Sequence, residues 1–320
     1  MQPPSRLANF PVSWFATVMG LSGLTIAWER AEAIFMPEFT ISPLLLGITG
    51  LLFILLTLLY GLKLLRHPQA VRRELHHPVK LSFFPAFSIS LILLAIATLH
   101  STPALSLWLW GAGSGLHLLF TLYVMSVWIH HEHFQIQHIN PAWFIPVVGN
   151  ILVPIAGTSH GFVEISWFFF SIGLVFWGVL LAILFYRMIF HQPLPGKLLP
   201  TLFILIAPPA VGFIAYQKLT GGELDTLARV LYHTALFLTL LLVTQVRRFA
   251  RLKFFLSWWA YSFPLAAITI ATLLYGVQID SAALRQLGGL LLVMVTLVIL
   301  LLVWRTVDAV RRREICVEEE

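Results

Sequence analysis

Charge is what this chain has least of. Only 11% of its 320 residues are Asp, Glu, Lys or Arg, against 59% hydrophobic. A soluble domain carries about 25% charged residues, so a water-soluble protein is excluded. The mean hydropathy of +0.88 belongs to a polytopic membrane protein. Cysteine is almost missing. Cys316 stands alone, which excludes a disulfide within the chain and any thiolate metal site. There is no Walker motif, no glycine-rich dinucleotide turn after a strand and no nucleophile elbow. Enzyme readings are therefore weak. The stretch Met1 to Asn9 lacks an apolar h-region, so no cleaved signal is expected.

What is present is a series of apolar runs. Ten segments of roughly 20 residues, the length a ~30 Å hydrocarbon core requires, are expected at 8–29, 42–66, 81–99, 104–130, 142–158, 162–188, 197–218, 223–247, 255–277 and 282–308. The loops between them are short. That predicts an all-α polytopic fold in one domain over 1–320, with short tails at about 1–8 and 309–320. The net charge of +6 is distributed by side rather than by patch. Arg66, Arg72, Arg73, Lys80, Arg248 and Arg311 all fall in loops or tails on one side. The positive-inside rule then puts both termini in the cytoplasm and makes nucleic acid an unneeded partner.

Five prolines recur about sixty residues apart in alternate segments: Pro11, Pro85, Pro146, Pro208 and Pro264. Proline inside a helix removes a hydrogen bond and bends the axis. In lipid the freed carbonyl needs a partner, so such helices face protein or water. The alternation suggests five quasi-repeated helical hairpins arranged around a common axis. Bent odd spans face it and straight even spans surround them. The first span has small residues at helical spacing, Ser13, Ala16 or Thr17, Gly20 and Gly23. That stripe suits either a lumen or, the reading periodicity favours, close helix packing.

The odd spans carry almost no charge. A cation path usually shows carboxylate rings, and proton coupling a buried acid or histidine. Lumen candidates here are neutral: Ser13, Thr17, Ser88, Ser90, Asn150, Thr201, Ser262 and Thr269. Phe84 and Pro85, with Pro146, Pro208 and Pro264, are expected beside them. Phe263 reads either as an aromatic packed on a kink or as a plug that fills and dewets a pore. Glu164, Asp225 and Arg229 form an expected structural ion-pair group near one interface. His117 and His233 lie mid-span on even segments, where hydrogen-bonded packing outweighs haem ligation. His130-His131-Glu132-His133 lacks the His-Glu-x-x-His spacing of a zinc site, and no metal or other cofactor is expected.

Four phrases together carry a resemblance. They are His77-Pro78-Val79-Lys80-Leu81-Ser82-Phe83-Phe84, His160-Gly161-Phe162-Val163-Glu164-Ile165-Ser166-Trp167-Phe168, Gly222-Glu223-Leu224-Asp225-Thr226-Leu227-Ala228-Arg229, and Trp258-Trp259-Ala260-Tyr261-Ser262-Phe263-Pro264. In order and over nearly the whole length, the chain resembles the tellurite-resistance/dicarboxylate transporter family, the family of bacterial TehA and the plant slow-type anion channels. The resemblance implies ten helices around a pore, three protomers per assembly, small anions as the permeant partners, and a phenylalanine gate at Phe263. It also implies a bacterial inner-membrane home. Ala16 falls near the position where TehA has a glycine facing the gate. A carrier exporting malate, sulfite or tellurite-type anions is the alternative. It needs a midplane site with arginine or paired polar groups, and no odd span holds an arginine.

Overall fold

In the computed structural model, residues 6–36, 38, 40–130 and 134–317 are described. The fold among these residues is all helical. Its elements are α1 (Phe15–Phe35), α2 (Ser42–Arg66), α3 (Pro68–Leu75), α4 (Ala86–Ala97), α5 (Pro103–His130), α6 (Phe144–Val148), α7 (Val153–Gly157), α8 (Val163–Phe190), α9 (Ala207–Leu219), α10 (Thr226–Val243), α11 (Val246–Phe249), α12 (Ser262–Gln278) and α13 (Ala282–Arg311). Among the described residues, eight helices are long and apolar enough to cross a membrane. Two expected spans fall outside that set. The last turns of α1 carry Glu29, Arg30 and Glu32, which lowers its hydropathy. The fifth, Pro141–Gly157, is short and interrupted by the 3-10 turn Gly149–Leu152.

The prolines do something other than kink continuous helices. Each inner segment opens as a 3-10 helix and then turns α: Val12–Trp14 before α1, Lys80–Phe83 before α4, Pro141–Trp143 before α6, Gly196–Ile206 before α9 and Leu256–Tyr261 before α12. Pro85 immediately precedes α4, Pro208 stands in the first turn of α9 and Pro264 in that of α12. Pro11 precedes its 3-10 turn, and Pro146 sits within the five-residue α6. A proline at a helix start has no intrahelical N–H bond to lose. The expected bend is thus mostly a change of helix type. A 3-10 helix rises about 2.0 Å per residue against 1.5 Å for an α-helix, so these lead-ins lengthen the inner segments.

Burial separates two classes of helix. In the apolar stretches of the spans beginning at Lys80, Gly196 and Leu256, 78% of the residues are buried; in those of the other five spans the share is 11–39%. Helix α1 packs on α4 and α12, α12 on α9, α9 on α7, and α7 on α4, so the inner segments close a ring. Each also packs on the long helix that follows it: α2 on α1, α5 on α4, α8 on α6 and α7, α10 on α9, and α13 on α12. The outward faces of these helices carry exposed Leu44, Leu51, Leu58, Val179, Leu240 and Leu297. Only lipid or another apolar surface solvates such a face cheaply.

Two glycines set the closest approach in the ring. A Cβ at Gly20 would meet the Ser262 hydroxyl and lie 2.6 Å from Ser262 Cβ. At Gly23 it would lie 3.0 Å from Ala266 Cβ and 3.1 Å from Phe263 Cδ2. The Gly20 and Gly23 positions of the stripe are thus a seat for α12, as close packing requires.

Candidate functional site

The inner ring encloses a cavity of about 750 Å³ at the end where its five segments begin. Every inner segment contributes wall. The residues furthest along each are Met19, Ile89, Leu152, Val211 and the neighbours Phe263 and Pro264. All are apolar. Phe83, Phe144 and Phe255 widen the apolar wall nearer the mouth, and Ser13, Thr201 and Ser257 supply its few hydroxyls. Lys63, Arg73, Lys80 and Lys197 stand among the mouth residues with Glu74 and Glu314. The cavity thus has a charged mouth with more cations than carboxylates and an apolar far end.

Phe263 is mostly buried, and its ring edge lies against the space left by Gly23 on α1. Its position is set by backbone close packing: Gly20 receives Ser262 and Gly23 receives Phe263 and Ala266, so α12 cannot slide without a clash. Of the residues expected in the lumen, Ser13, Ala16, Thr201, Pro208, Phe263 and Pro264 line the cavity.

The others are placed elsewhere. Thr17 and Ser262 donate back to the carbonyls of Trp14 and Trp259, and Gly20 is under Ser262. Ser88 meets His117 Nδ1 at 2.9 Å and donates to the Pro85 carbonyl. Asn150 is fully buried and donates to Thr121 Oγ1 at 3.0 Å and the Val147 carbonyl at 2.7 Å. Phe84 turns to Tyr60 and an apolar pocket shared with Phe87 and Phe120. Pro85 and Pro146 are outside the lining as well. The physical reason is carbonyl satisfaction. In the broken fifth segment, Thr121 of α5 donates to the Pro146 carbonyl at 2.7 Å and Trp110 Nε1 to the Val153 carbonyl at 2.9 Å. The outer helix, rather than the lumen, takes up the backbone groups.

The expected ion-pair group is also rearranged. Asp225 caps α10, accepting from Ala228 N–H at 2.9 Å and from the Tyr216 hydroxyl. These two hydrogen bonds hold its carboxyl below the usual range. Arg229 donates to the Tyr275 hydroxyl at 3.3 Å, and Glu164 is exposed in the first turn of α8. A cap satisfies a helix N-terminus more locally than a long side chain can.

His117 and His233 have separate neighbours, Ser88 and Tyr275. His131, Glu132 and His133 lie outside the described residues, while His130 Nδ1 is 2.9 Å from the Ser126 carbonyl. Among the described residues no group of three or more His, Cys, Asp or Glu could hold a metal.

Sequence reasoning missed Met19, Phe83, Phe144, Leu152 and Val211. The signal for the first was present. Steps of three from Ser13 reach Ala16 and then Met19, whereas a step of four leads to Gly20 on the packing face. It also missed a buried ion pair at the mouth. Lys63 Nζ lies 2.6 Å from Glu74 Oε2, and the two side chains are 3% and 6% exposed. Lys63 also donates to the Phe10 carbonyl at 2.8 Å, while Glu74 accepts from Val12 N–H at 2.7 Å and from the Tyr60 hydroxyl at 3.0 Å. The amphipathic α3 is thereby stapled to the lead-in of α1.

Residues 9–307 match the voltage-dependent anion channel family, SLAC1. The chain is 31% identical over 308 residues to the S-type anion channel SLAH2 of Arabidopsis thaliana, covering 94% of this chain and 59% of that protein. It is 31% identical over 302 residues to an uncharacterized transporter of Methanocaldococcus jannaschii, covering 84% and 85% of the two chains. Against a tellurite resistance protein TehA homolog of Haemophilus influenzae the identity is 26% over 260 residues. The chain thus spans little more than half of the plant channel it matches.

Proposed function

The chain belongs to the SLAC1 voltage-dependent anion channel family, and from that premise we propose that it is a gated, passive channel for small anions of the chloride and nitrate kind. It is an integral membrane protein and not an enzyme. The carrying observation is the cavity whose walls come from all five inner segments and whose far end is apolar and meets Phe263. In this reading ten spans form five hairpins about a pore, the basic end faces the cytoplasm, and three protomers assemble through the apolar outer helices.

The mechanism follows from that cavity. Lysines and arginines at the mouth raise the local anion concentration over about one Debye length, ~8 Å at physiological ionic strength. Ions then enter a throat that offers no fixed charge and must shed water. Anions that dehydrate readily pass best, so selectivity among halides and nitrate is weak. The Phe263 ring fills the throat and keeps it dry. Its swing off the Gly23 seat opens the path. A carrier for dicarboxylates would want a cationic pair at the throat. The residues furthest along each segment are apolar, which favours the channel. Flux of chloride and nitrate through reconstituted protein, wild type beside Phe263→Ala, tests the reading. Equal flux in the two sinks it.

A further inference from the structure

Acidic residues are missing from long parts of this chain. None stands between Glu164 and Glu223, and none between Asp225 and Asp280. In the second stretch Arg247, Arg248, Arg251 and Lys253 fall close together. They occupy α11 and the loop that leads to the 3-10 turn Leu256–Tyr261. All four are exposed. Among the described residues, none of their side chains makes a hydrogen bond or an ion pair. Several cations elsewhere are matched. Lys63 pairs with Glu74, Arg285 with Asp280 and Arg312 with Asp308, and Arg187 donates to the Ile136 carbonyl at 3.2 Å. The sidedness of charge accounts for the end of the molecule at which the four lie. It does not account for their crowding without a carboxylate. Like charges so close repel one another, and a counter-anion relieves the repulsion.

The neighbouring surface selects the anion. Phe237, Leu240 and Val243 are exposed along α10, and Val246, three residues further on, is exposed at the start of α11. Steps of three keep residues on one side of a helix. Only lipid or another apolar surface covers such a face cheaply. Arg247 and Arg248 follow Val246 directly. An anionic phospholipid has the same order of chemistry, apolar chains and then a phosphate. Arginine takes phosphate oxygens in bidentate pairs, and a basic cluster just beyond a membrane helix attracts anionic headgroups. A free phosphate makes no use of the apolar face.

We propose that Arg247, Arg248, Arg251 and Lys253 bind the phosphate headgroup of an anionic phospholipid whose chains lie along the exposed face of α10. The inference needs only insertion in a membrane and does not rest on the channel reading. The site is continuous with the cavity mouth. Trp258 Nε1 donates to the Lys253 carbonyl at 3.0 Å, and the Ser257 hydroxyl donates to the Lys197 carbonyl at 2.5 Å. Phe254, Phe255 and Leu256, next along the loop, wall the mouth. A headgroup held by Arg251 and Lys253 therefore steadies the loop that forms part of that wall.

Lipid retention tests this without any conduction. Purified protein is stripped of lipid in detergent and offered equal amounts of phosphatidylglycerol and phosphatidylcholine with identical chains. The lipid it keeps is counted by native mass spectrometry. The wild-type chain should hold phosphatidylglycerol at least about tenfold over phosphatidylcholine. R247Q/R248Q/R251Q/K253Q should lose that preference, and R247K/R248K/R251K should keep most of it. R66Q/R305Q/R311Q/R313Q removes the same charge from the same end of the molecule and should leave the preference unchanged. Equal retention of the two lipids by the wild-type chain, or equal loss in the two glutamine variants, overturns the proposal. Inorganic phosphate in large excess should leave phosphatidylglycerol bound. Its release there overturns the lipid assignment in favour of a soluble anion.

Discussion

Replacing Phe263 with alanine is the perturbation that bears most directly on function. A buried aromatic ring hides about 200 Å². Phe263 is mostly buried, so the closed position hides at least about 100 Å² of apolar surface, worth at least about 2.5 kcal/mol at 25 cal/mol per Å². At a factor of ten per 1.4 kcal/mol, that holds the ring on its Gly23 seat at least about 60-fold more often than off it. Alanine removes both the ring and the bias. Chloride conductance in voltage-clamped oocytes, normalised to surface protein, should therefore rise by about one to two orders of magnitude. Phe263→Leu, which refills part of the throat, should fall between. The seat makes a second arm. Gly23→Ala puts a methyl 3.1 Å from Phe263 Cδ2, close enough to push the ring, so it too should alter conductance. If Phe263→Ala and Gly23→Ala both conduct like wild type while well folded, the gate assignment is refuted and the throat is closed by something else.

Other expectations concern the frame around the throat. Gly20→Ala should lower the thermal midpoint in detergent, by about 1–3 kcal/mol of overpacking, since its Cβ would lie 2.6 Å from Ser262 Cβ. Gly47→Ala on α2, with nothing within 4 Å, is the neutral control. Lys63→Met should cost about 3–5 kcal/mol by leaving Glu74 buried without its cation. Adding Glu74→Gln should recover part of that loss, and a double-mutant cycle on unfolding midpoints measures it. Asp225 has a folded pKa below its unfolded value. Its stabilising effect is therefore full above the usual carboxylate pKa of about 4 and is lost as pH falls further, through the folded pKa. Asp225→Asn keeps a capping oxygen and should flatten the midpoint's dependence on pH across that acidic range.

Much of the architecture was legible in the amino-acid order. Hydropathy and length fix where helices lie, because lipid accepts only backbone that bonds itself. The recurring prolines mark the inner segments, because a residue without a backbone N–H can begin a helix at no cost but cannot continue one without losing a hydrogen bond. The scarcity of charge on those segments fixes an uncharged throat, and the Trp258 to Pro264 phrase singles out Phe263. What the order of residues left open was direction. Ser88, Asn150 and Ser262 are as polar as Ser13, yet only Ser13 looks into the cavity. The rest are claimed by carbonyls and by His117 and Thr121 on α5. Gly20 and Met19 are neighbours, and a 3-10 turn before α1 decides which of them faces inward. Lys63 and Glu74 lie on different helices, and their pairing exists only because α3 folds under the lead-in of α1. Side-chain direction depends on where each helix changes pitch and on which partner sits across from it. Both are properties of the packed ring, which is why tertiary structure alone decided them.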